Sequence, residues 1–280
     1  MRVAGLAEIL AVASEAARAG GRVALEGAAD VKYLSWKGPR DVFVGRSLDV
    51  QDAIVSTIRQ SFPEHAILTE EGPDDEPMPV DADPLWIVDP ICGSASYLMH
   101  DPHYAVGVGY RDSGFWQVGA VFEPARDHLY TGTRGGRAEL NGQPIRAEQF
   151  ADGTEAIERA IVGIDWPASD EARRDMSLVV NVLGNQVLGL RAFGSPALGV
   201  CAVAAGRLHG YVTMGLKLWD LAPASVILQA AGGVVTDGVG AAWMHSPDGS
   251  CIASNATIHG RLITSFGPLN ALRTVRVSSS

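Results

Sequence analysis

Only three cysteines occur in 280 residues: Cys92, Cys201 and Cys251. Their spacing suits no metal, and pairing two would leave one over, so they read as reduced thiols of a cytoplasmic protein. No apolar run approaches the ~18 residues that cross a bilayer, which sets aside a spanning helix. Positive charge is also scarce: 22 Lys and Arg stand against 32 Asp and Glu, for a formal net charge of -10. Nucleic acids and anionic membranes attract positive surfaces, so neither is an expected partner. A phosphate substrate is not excluded, because a bound divalent cation reverses the local field. There is no internal repeat and no low-complexity segment. The opening residues have a faint signal-peptide look, but Glu8 breaks the apolar run and Arg2 alone supplies positive charge, so an ordinary N-terminus is the expectation.

What is present has the balance of a soluble globular protein, 47 % hydrophobic and 19 % charged. The length permits one large domain or two that share an interface. Leu6, Ile9, Leu10, Ala13 and Ala17 recur at helical spacing with Glu8, Glu15, Arg18 and Arg22 between them. Residues 4–27 therefore read as one amphipathic helix, weakened in its second half by Gly20 and Gly21. Residues 37–40 read as a loop, 49–61 as a second helix, and 66–69 as a short strand ending on Glu70 and Glu71. The acidic, proline-rich stretch 73–84 reads as solvated loop. Strands at 104–110 and 115–122 are joined by Asp112, Ser113 and Gly114 in a hairpin, and 129–131 continues the sheet. Glycine pairs and Asn141-Gly142 then mark turns. A composition change over 149–155 marks a boundary. Beyond it, strands at 160–164, 188–193 and 208–212 alternate with helices at 169–183, 197–205 and 221–231, the last stopped by Gly232 and Gly233. The expected organisation is thus a 1–150 half, helices on an antiparallel-rich sheet bearing Glu70, Glu71 and Asp89, and an α/β half, 151–280, bearing Asp220.

The chain is organised around residues 85–97. Trp86, Ile87 and Val88 read as a buried strand, which Asp89 and Pro90 should stop because proline brings no N–H to a ladder. Gly93 and Ser94 then open a helix, with Ser94 or Ser96 near its N-cap. A strand that delivers a carboxylate and turns into a helix start has the parts of a metal-phosphate site. Two more carboxylate stations lie at element ends, Glu70 with Glu71, and Asp220. A few carboxylates with water and substrate oxygens make an ordinary Mg²⁺ site. Taken singly, an Asp at a helix start is more often a cap than a ligand. His65, His100 and His103 lack zinc spacing and read as surface or packing residues, and Lys217 and Arg191 as solvated charges.

Residues 85–97 resemble the first signature of the inositol monophosphatase family, roughly Trp-x-(Ile/Val)-Asp-Pro-(Ile/Leu)-Asp-Gly-Thr-x-(Asn/Ser)-(Phe/Tyr). Residues 219–237, from Trp219 and Asp220 through Gly232 and Gly233, resemble its C-terminal signature. Segments 62–72, 191–198 and 204–211, together with Lys37, resemble further parts of that family, so the likeness reaches from the first helix to about residue 256. The resemblance implies a layered α-β-α-β-α sandwich, a homodimer, and Mg²⁺-dependent hydrolysis of a small phosphorylated metabolite such as an inositol, sugar or nucleotide phosphate. In that chemistry two or three cations polarise the phosphate, position a water and neutralise the leaving oxygen. Carried over by position, Glu70, Asp89 and the Ile91 carbonyl form one metal site, and Asp89 and Asp220 part of a second. Gly93 and Ser94 form the phosphate-binding helix start, Glu71 joins the catalytic set, and Ser195 and Thr213 join the substrate-binding set.

The departures concentrate where that mechanism needs its parts. Cys92 stands where the family has a second aspartate, and a thiol is a poor ligand for Mg²⁺. Ser94 replaces threonine and keeps a hydroxyl. Residues 41–47 match the family's Asp-x-Val-Thr-x-x-Asp, but Val44 replaces the threonine and Ser47 the last aspartate, so the attacking water loses its base. Loss of a general base typically costs ~10²–10⁴-fold in rate. Thr213 stands where several members carry a glutamate for substrate hydroxyls, and His209 where an acidic residue is frequent. Two readings stay open: a phosphatase with weakened or altered activity, or a member that has lost hydrolysis and binds a ligand or does other chemistry in the same cleft. A scaffold or dimer subunit is a third. A nucleophilic Cys92 would call for an arginine about six residues on, where Leu98 stands; a small buried thiol filling the space of a lost ligand is the plainer reading.

Overall fold

A computed structural model describes residues 5–31, 33–38, 40–72, 79–147, 156–245, 249–267 and 269–270. The boundary expected over 149–155 and the first part of the acidic loop, 73–78, lie outside them. Helix α1 (Leu6–Gly27) turns Ile9, Ala13, Ala16, Ala17, Gly20, Gly21 and Ala24 inward on one face. The glycine pair does not interrupt it. A Cβ at Gly20 would lie 2.6 Å from Ile54 Cγ1, and one at Gly21 would lie 2.2 Å from Phe122 Cδ1. Glycine there costs ~0.5–1 kcal/mol of helix propensity and in return lets a helix and a strand approach.

Lys37 and Gly38 are not loop but the end of a strand, with Gly38 opposite Asp41. Strands β1 (Tyr33–Gly38) and β2 (Asp41–Val44) pair antiparallel, Trp36 opposite Val42. Helix α2 (Arg46–Ser61) begins before residue 49, where Arg46 reaches Asp49 at 2.9 Å and Ser47 Oγ donates to the Val44 carbonyl at 2.5 Å. Strands β3 (Ala66–Thr69) and β4 (Leu85–Cys92) run parallel. The short helix α3 (Ser94–Leu98) follows Gly93, and then come β5 (Ala105–Asp112) and β6 (Phe115–Glu123). Their two-residue turn uses positive φ at Ser113 and Gly114, the hairpin read from the sequence. Strands β7 (His128–Thr133), β8 (Ala138–Leu140) and β9 (Gln143–Ile145) complete a seven-stranded sheet in the order β3-β4-β5-β6-β7-β8-β9.

Pro90 does not stop β4. The strand continues to Cys92, with Asp89 opposite Gly107, Cys92 opposite Ala105, and an irregularity between them. Proline is tolerated at such a bulge.

The second half opens with α4 (Ala156–Arg159), β10 (Ile161–Ile164), α5 (Asp170–Gly184) and β11 (Gly189–Ala192). Helix α6 (Pro196–Ala204), strand β12 (Gly210–Thr213) and helix α7 (Leu218–Ala230) follow. Strands β13 (Val234–Thr236) and β14 (Cys251–Ser254) and helix α8 (His259–Ser265) had no counterpart in the sequence reading. The second sheet is mixed, in the order β11-β10-β12-β14-β13.

Three apolar clusters reveal the layers. One joins α1 and α2 to one face of the larger sheet, through Ile54, Trp86, Val88, Val106 and Val118. A second fills the space between the sheets, where α6 and α7 lie, with Leu85, Ile87, Leu198, Val203, Leu221 and Ile227. The third puts α5 and α8 on the outer face of the smaller sheet, through Val162, Met176, Val212, Leu262 and Phe266. The order is α-β-α-β-α, as expected. Helix α7 approaches the sheet so closely that a Cβ at Gly119 would lie 2.0 Å from the Pro223 carbonyl oxygen. Among the described residues no helix is long and apolar enough to cross a membrane.

Candidate active site

Strand periodicity decides where the carboxylates point. Successive side chains alternate between faces, and Leu85 and Ile87 face α7 whereas Trp86 and Val88 face α1 and α2. Asp89 therefore falls on the α7 face. The same parity carries Glu70 there from Leu68 of β3, and Glu70 N extends the pairing by donating to Val88 O at 3.2 Å. Helix α7 starts at Leu218, earlier than its apolar pattern indicates, which puts Asp220 in its first turn above that face. All three line one cleft of about 1210 Å³.

Asp89 is 1 % exposed and neither carboxylate oxygen has a hydrogen-bond partner. Burial first, then the charges of Glu70 and Asp220, push its carboxyl well above the ordinary range. Burial also raises Glu70, opposed by the Lys37 ammonium. Lys37 Nζ sits 2.9 Å from Glu70 Oε1 and 2.8 Å from Glu71 Oε2. The Glu71 backbone is held in turn by the Gln51 side chain of α2 at 3.1 and 3.2 Å. Asp220 Oδ2 accepts from Lys217 N at 2.6 Å, so it is a helix cap as well as a wall of the cleft. Burial, with the charges of Glu70 and Asp41, raises it.

The replaced positions have other engagements. Cys92 is buried; its Sγ accepts from Ser195 Oγ at 3.3 Å and from Ala197 N at 3.4 Å, at the start of α6. Burial, followed by the charges of Asp89 and Asp220, raises its thiol well above the usual range, so it is a neutral thiol. Val44 and Ser47 are buried, and neither lines the cleft. Gly93 lines it at φ 107°, where a Cβ would meet Gly194 O at 2.8 Å, so only glycine fits. Ser94 lines it too, but its Oγ donates to the Ile91 carbonyl at 3.2 Å, the group assigned to a metal.

Of the substrate-binding pair, Ser195 is buried at the N-cap of α6, and Thr213 Oγ1 donates to Asp165 O at 3.0 Å; neither side chain lines the cleft. His65, His100 and His103 lie outside the cleft, and each has a partner. Trp86 Nε1 donates to His65 Nδ1 at 3.1 Å, His100 Nδ1 lies 2.9 Å from Ala28 O, and His103 Nδ1 lies 2.6 Å from Asp101. Sequence reasoning missed Asp165, whose Oδ1 accepts from Phe193 N at 3.0 Å and Gly194 N at 2.6 Å, fixing the loop before α6. It missed Trp36 and Phe43 as cleft walls as well. No local pattern marks either feature, since both depend on partners distant in the chain.

A hard cation fits what is here. Buried oxygens without a partner are costly, and Asp89 has two of them beside Glu70 and Asp220. Among the described residues no three His, Cys, Asp or Glu side chains close on an ion by themselves. That is compatible with Mg²⁺, which usually takes one or two carboxylates and completes its shell with water and phosphate oxygens.

Five layers with an acidic cleft at the strand ends define a layered α-β-α-β-α sandwich. The chain belongs to the inositol monophosphatase family, whose family model matches residues 5–270. It is 33 % identical over 237 residues to the Nus factor SuhB of Escherichia coli (strain K12), covering 83 % of this chain and 86 % of that one. The crystal structure of the extragenic suppressor protein suhB from Bartonella henselae superimposes with a TM-score of 0.84 at 26 % identity, covering 92 % of this chain and 98 % of that one. The inositol monophosphatase from Anabaena (Nostoc) sp. PCC 7120 does so at 0.79 and 26 %, covering 94 % and 96 %.

Proposed function

We propose that the protein is a Mg²⁺-dependent phosphomonoesterase of a small phosphorylated metabolite, working slowly. The observation that carries this reading is Asp89, a fully buried carboxylate with two unpartnered oxygens at the floor of a cleft. Asp89 with Glu70, Asp220 and the Ile91 carbonyl would hold the cation. When bound, it supplies charge neutralisation and polarisation of the phosphate. The chain's own groups do the rest: Lys37 aligns Glu70 and Glu71, Ser94 orients the Ile91 carbonyl, and Lys217 on the cleft wall attracts the anion. Slowness follows from Ser47, whose hydroxyl is engaged by the Val44 carbonyl and cannot serve as the base for a water in the cleft. A cytoplasmic location, a homodimer and the lack of a nucleic-acid partner belong to the same reading, the last resting on the net charge of -10.

A second reading, ligand binding without hydrolysis, is favoured by Cys92 and Ser47 together: the Cys92 sulfur, although it lines the cleft, accepts from Ser195 Oγ and Ala197 N, and the Ser47 hydroxyl donates to Val44 O. The Escherichia coli relative bears the name Nus factor SuhB. One experiment separates the two. With Mg²⁺ and a panel of inositol, sugar and nucleotide phosphates, the wild type should release phosphate slowly and Asp89→Asn not at all. Cys92→Asp with Ser47→Asp and Val44→Thr should raise the rate ~10²-fold or more, the worth of a restored base. No release from either the wild type or the triple variant would leave the second reading standing.

A further inference from the structure

Three strands of the smaller sheet run parallel, β11, β10 and β12, with β10 in the middle. Open α/β sheets place their sites beyond the carboxyl ends of such strands. Asp165 is the first residue past β10, and its carboxylate ties the ends of both neighbours together. Oδ1 accepts from Phe193 N at 3.0 Å and from Gly194 N at 2.6 Å, just past β11. Oδ2 accepts from the Tyr211 hydroxyl of β12 at 2.7 Å, and the Asp165 carbonyl accepts from Thr213 Oγ1 at 3.0 Å. Gly194 turns at φ 71°, which lets two successive N–H groups converge on a single oxygen. The Asp165 side chain does not itself line the cleft, so it touches no reacting atom.

The loop that it holds does line the cleft, through Gly194 and Pro196, and is wedged against the end of β4. A Cβ at Gly194 would lie 2.6 Å from Ser96 Oγ, and one at Gly93 would lie 2.8 Å from Gly194 O. Ser195 Oγ and Ala197 N then donate to Cys92 Sγ. Cys92 closes the strand that carries Asp89 and the Ile91 carbonyl. We propose that Asp165 is a positioning residue, acting through residues 193–197 to set the second-half wall of the cleft against the end of β4. The inference rests on the phosphomonoesterase reading of that cleft and adds a residue to it. A tie that only added stability would protect every buried thiol alike. One that places the wall protects Cys92 and leaves Cys201 of α6 and Cys251 of β14 as they are.

Two measurements separate these roles: iodoacetamide labelling of the native protein, read at each cysteine by mass spectrometry, and calorimetric titration of inorganic phosphate in Mg²⁺. Asp165→Ala should let Cys92 react about tenfold faster or more, the worth of a hydrogen bond to a charged group. Cys201 and Cys251 should keep their rates, and phosphate should bind about tenfold more weakly. Asp165→Asn, whose carbonyl oxygen still accepts from both loop amides, should stay within about twofold of wild type in both measurements. If alanine prevents folding, Asp165→Ser, which keeps one short acceptor, should show the same selectivity for Cys92. Equal acceleration at all three thiols overturns the inference, as does an unchanged phosphate affinity in Asp165→Ala. So does an Asp165→Asn variant as impaired as Asp165→Ala, which would place the effect in the charge. No phosphate binding by the wild type overturns the phosphomonoesterase reading, and the thiol rates then decide separately whether Asp165 holds the wall.

Discussion

A buried carboxylate with nothing to accept from is a standing cost to the folded chain, and Asp89 is such a residue. Leaving a buried polar group unpaired costs ~1–3 kcal/mol, more when it is charged. In metal-free protein, Asp89→Asn should therefore raise the melting midpoint by a few degrees, since ~1 kcal/mol moves a domain of this size by about 2–4 °C. The same substitution should remove the stabilisation that Mg²⁺ confers on the wild type, which grows with ligand concentration over Kd. Thermal melts with and without Mg²⁺ check both effects. A lowered metal-free midpoint, or a Mg²⁺ shift that survives, would show that Asp89 is structural. Glu70 and Asp220 stood out in the sequence because they lie at element ends, and Asp89 because it sits in a signature. The replacement at Cys92 was equally legible as a letter. That its sulfur accepts hydrogen bonds from the start of α6 was not, because Ser195 and Ala197 lie more than a hundred positions away.

At the scale of elements, the last helix is tied to its sheet by one imidazole. His259 of α8 lies with Nδ1 2.7 Å from Ser254 Oγ of β14 and Nε2 3.0 Å from Thr236 Oγ1 of β13. Burial holds it below its ordinary value of 6.5. The folded form thus resists a proton that the unfolded chain accepts. The contribution is fully present above 6.5 and is lost as pH falls through the depressed folded value. Denaturant titrations at pH 7.5 and 5.5 should show wild type losing more stability than His259→Gln, which cannot titrate; equal losses would discharge His259 from this role. Elements with clear periodicity were legible, among them α1, α5, β5 and β6. Those missed lie mostly at the margins: strands β1 and β2 form a ribbon outside the main sheets, β8 and β9 close one end of the larger sheet, and β13 forms one edge of the smaller, next to the fully buried β14. Pro90 misled because its tolerance depends on the irregular register of β4 against β5 between Asp89 and Cys92, a fact of tertiary structure.

On the scale of the whole molecule, the division at residue 150 competes with the packing of α7. That helix belongs to the second half, yet it covers the α7 face of the larger sheet, where Gly119 and Gly132 admit its backbone and where a Cβ at Gly132 would lie 2.7 Å from Ile227 Cα. Leu85, Ile87, Val121 and Tyr130 from the first half share one cluster with Leu221, Val226 and Ile227 from the second. Each such side chain contributes ~1.5–3 kcal/mol when buried, so uncovering that face would consume most of a typical stability of ~5–15 kcal/mol. The acidic cleft lies across the same seam, with Asp89 on one side and Asp220 on the other. We therefore propose that the halves are one cooperative unit. In urea, tryptophan fluorescence and far-ultraviolet circular dichroism should trace the same single transition. A fragment of residues 1–150 should show no cooperative melt, and adding residues 151–280 in trans should restore one. A fragment that melts cooperatively alone, or two separated transitions in the intact chain, would mean that the seam is an interface between independent domains and that the cleft can open along it.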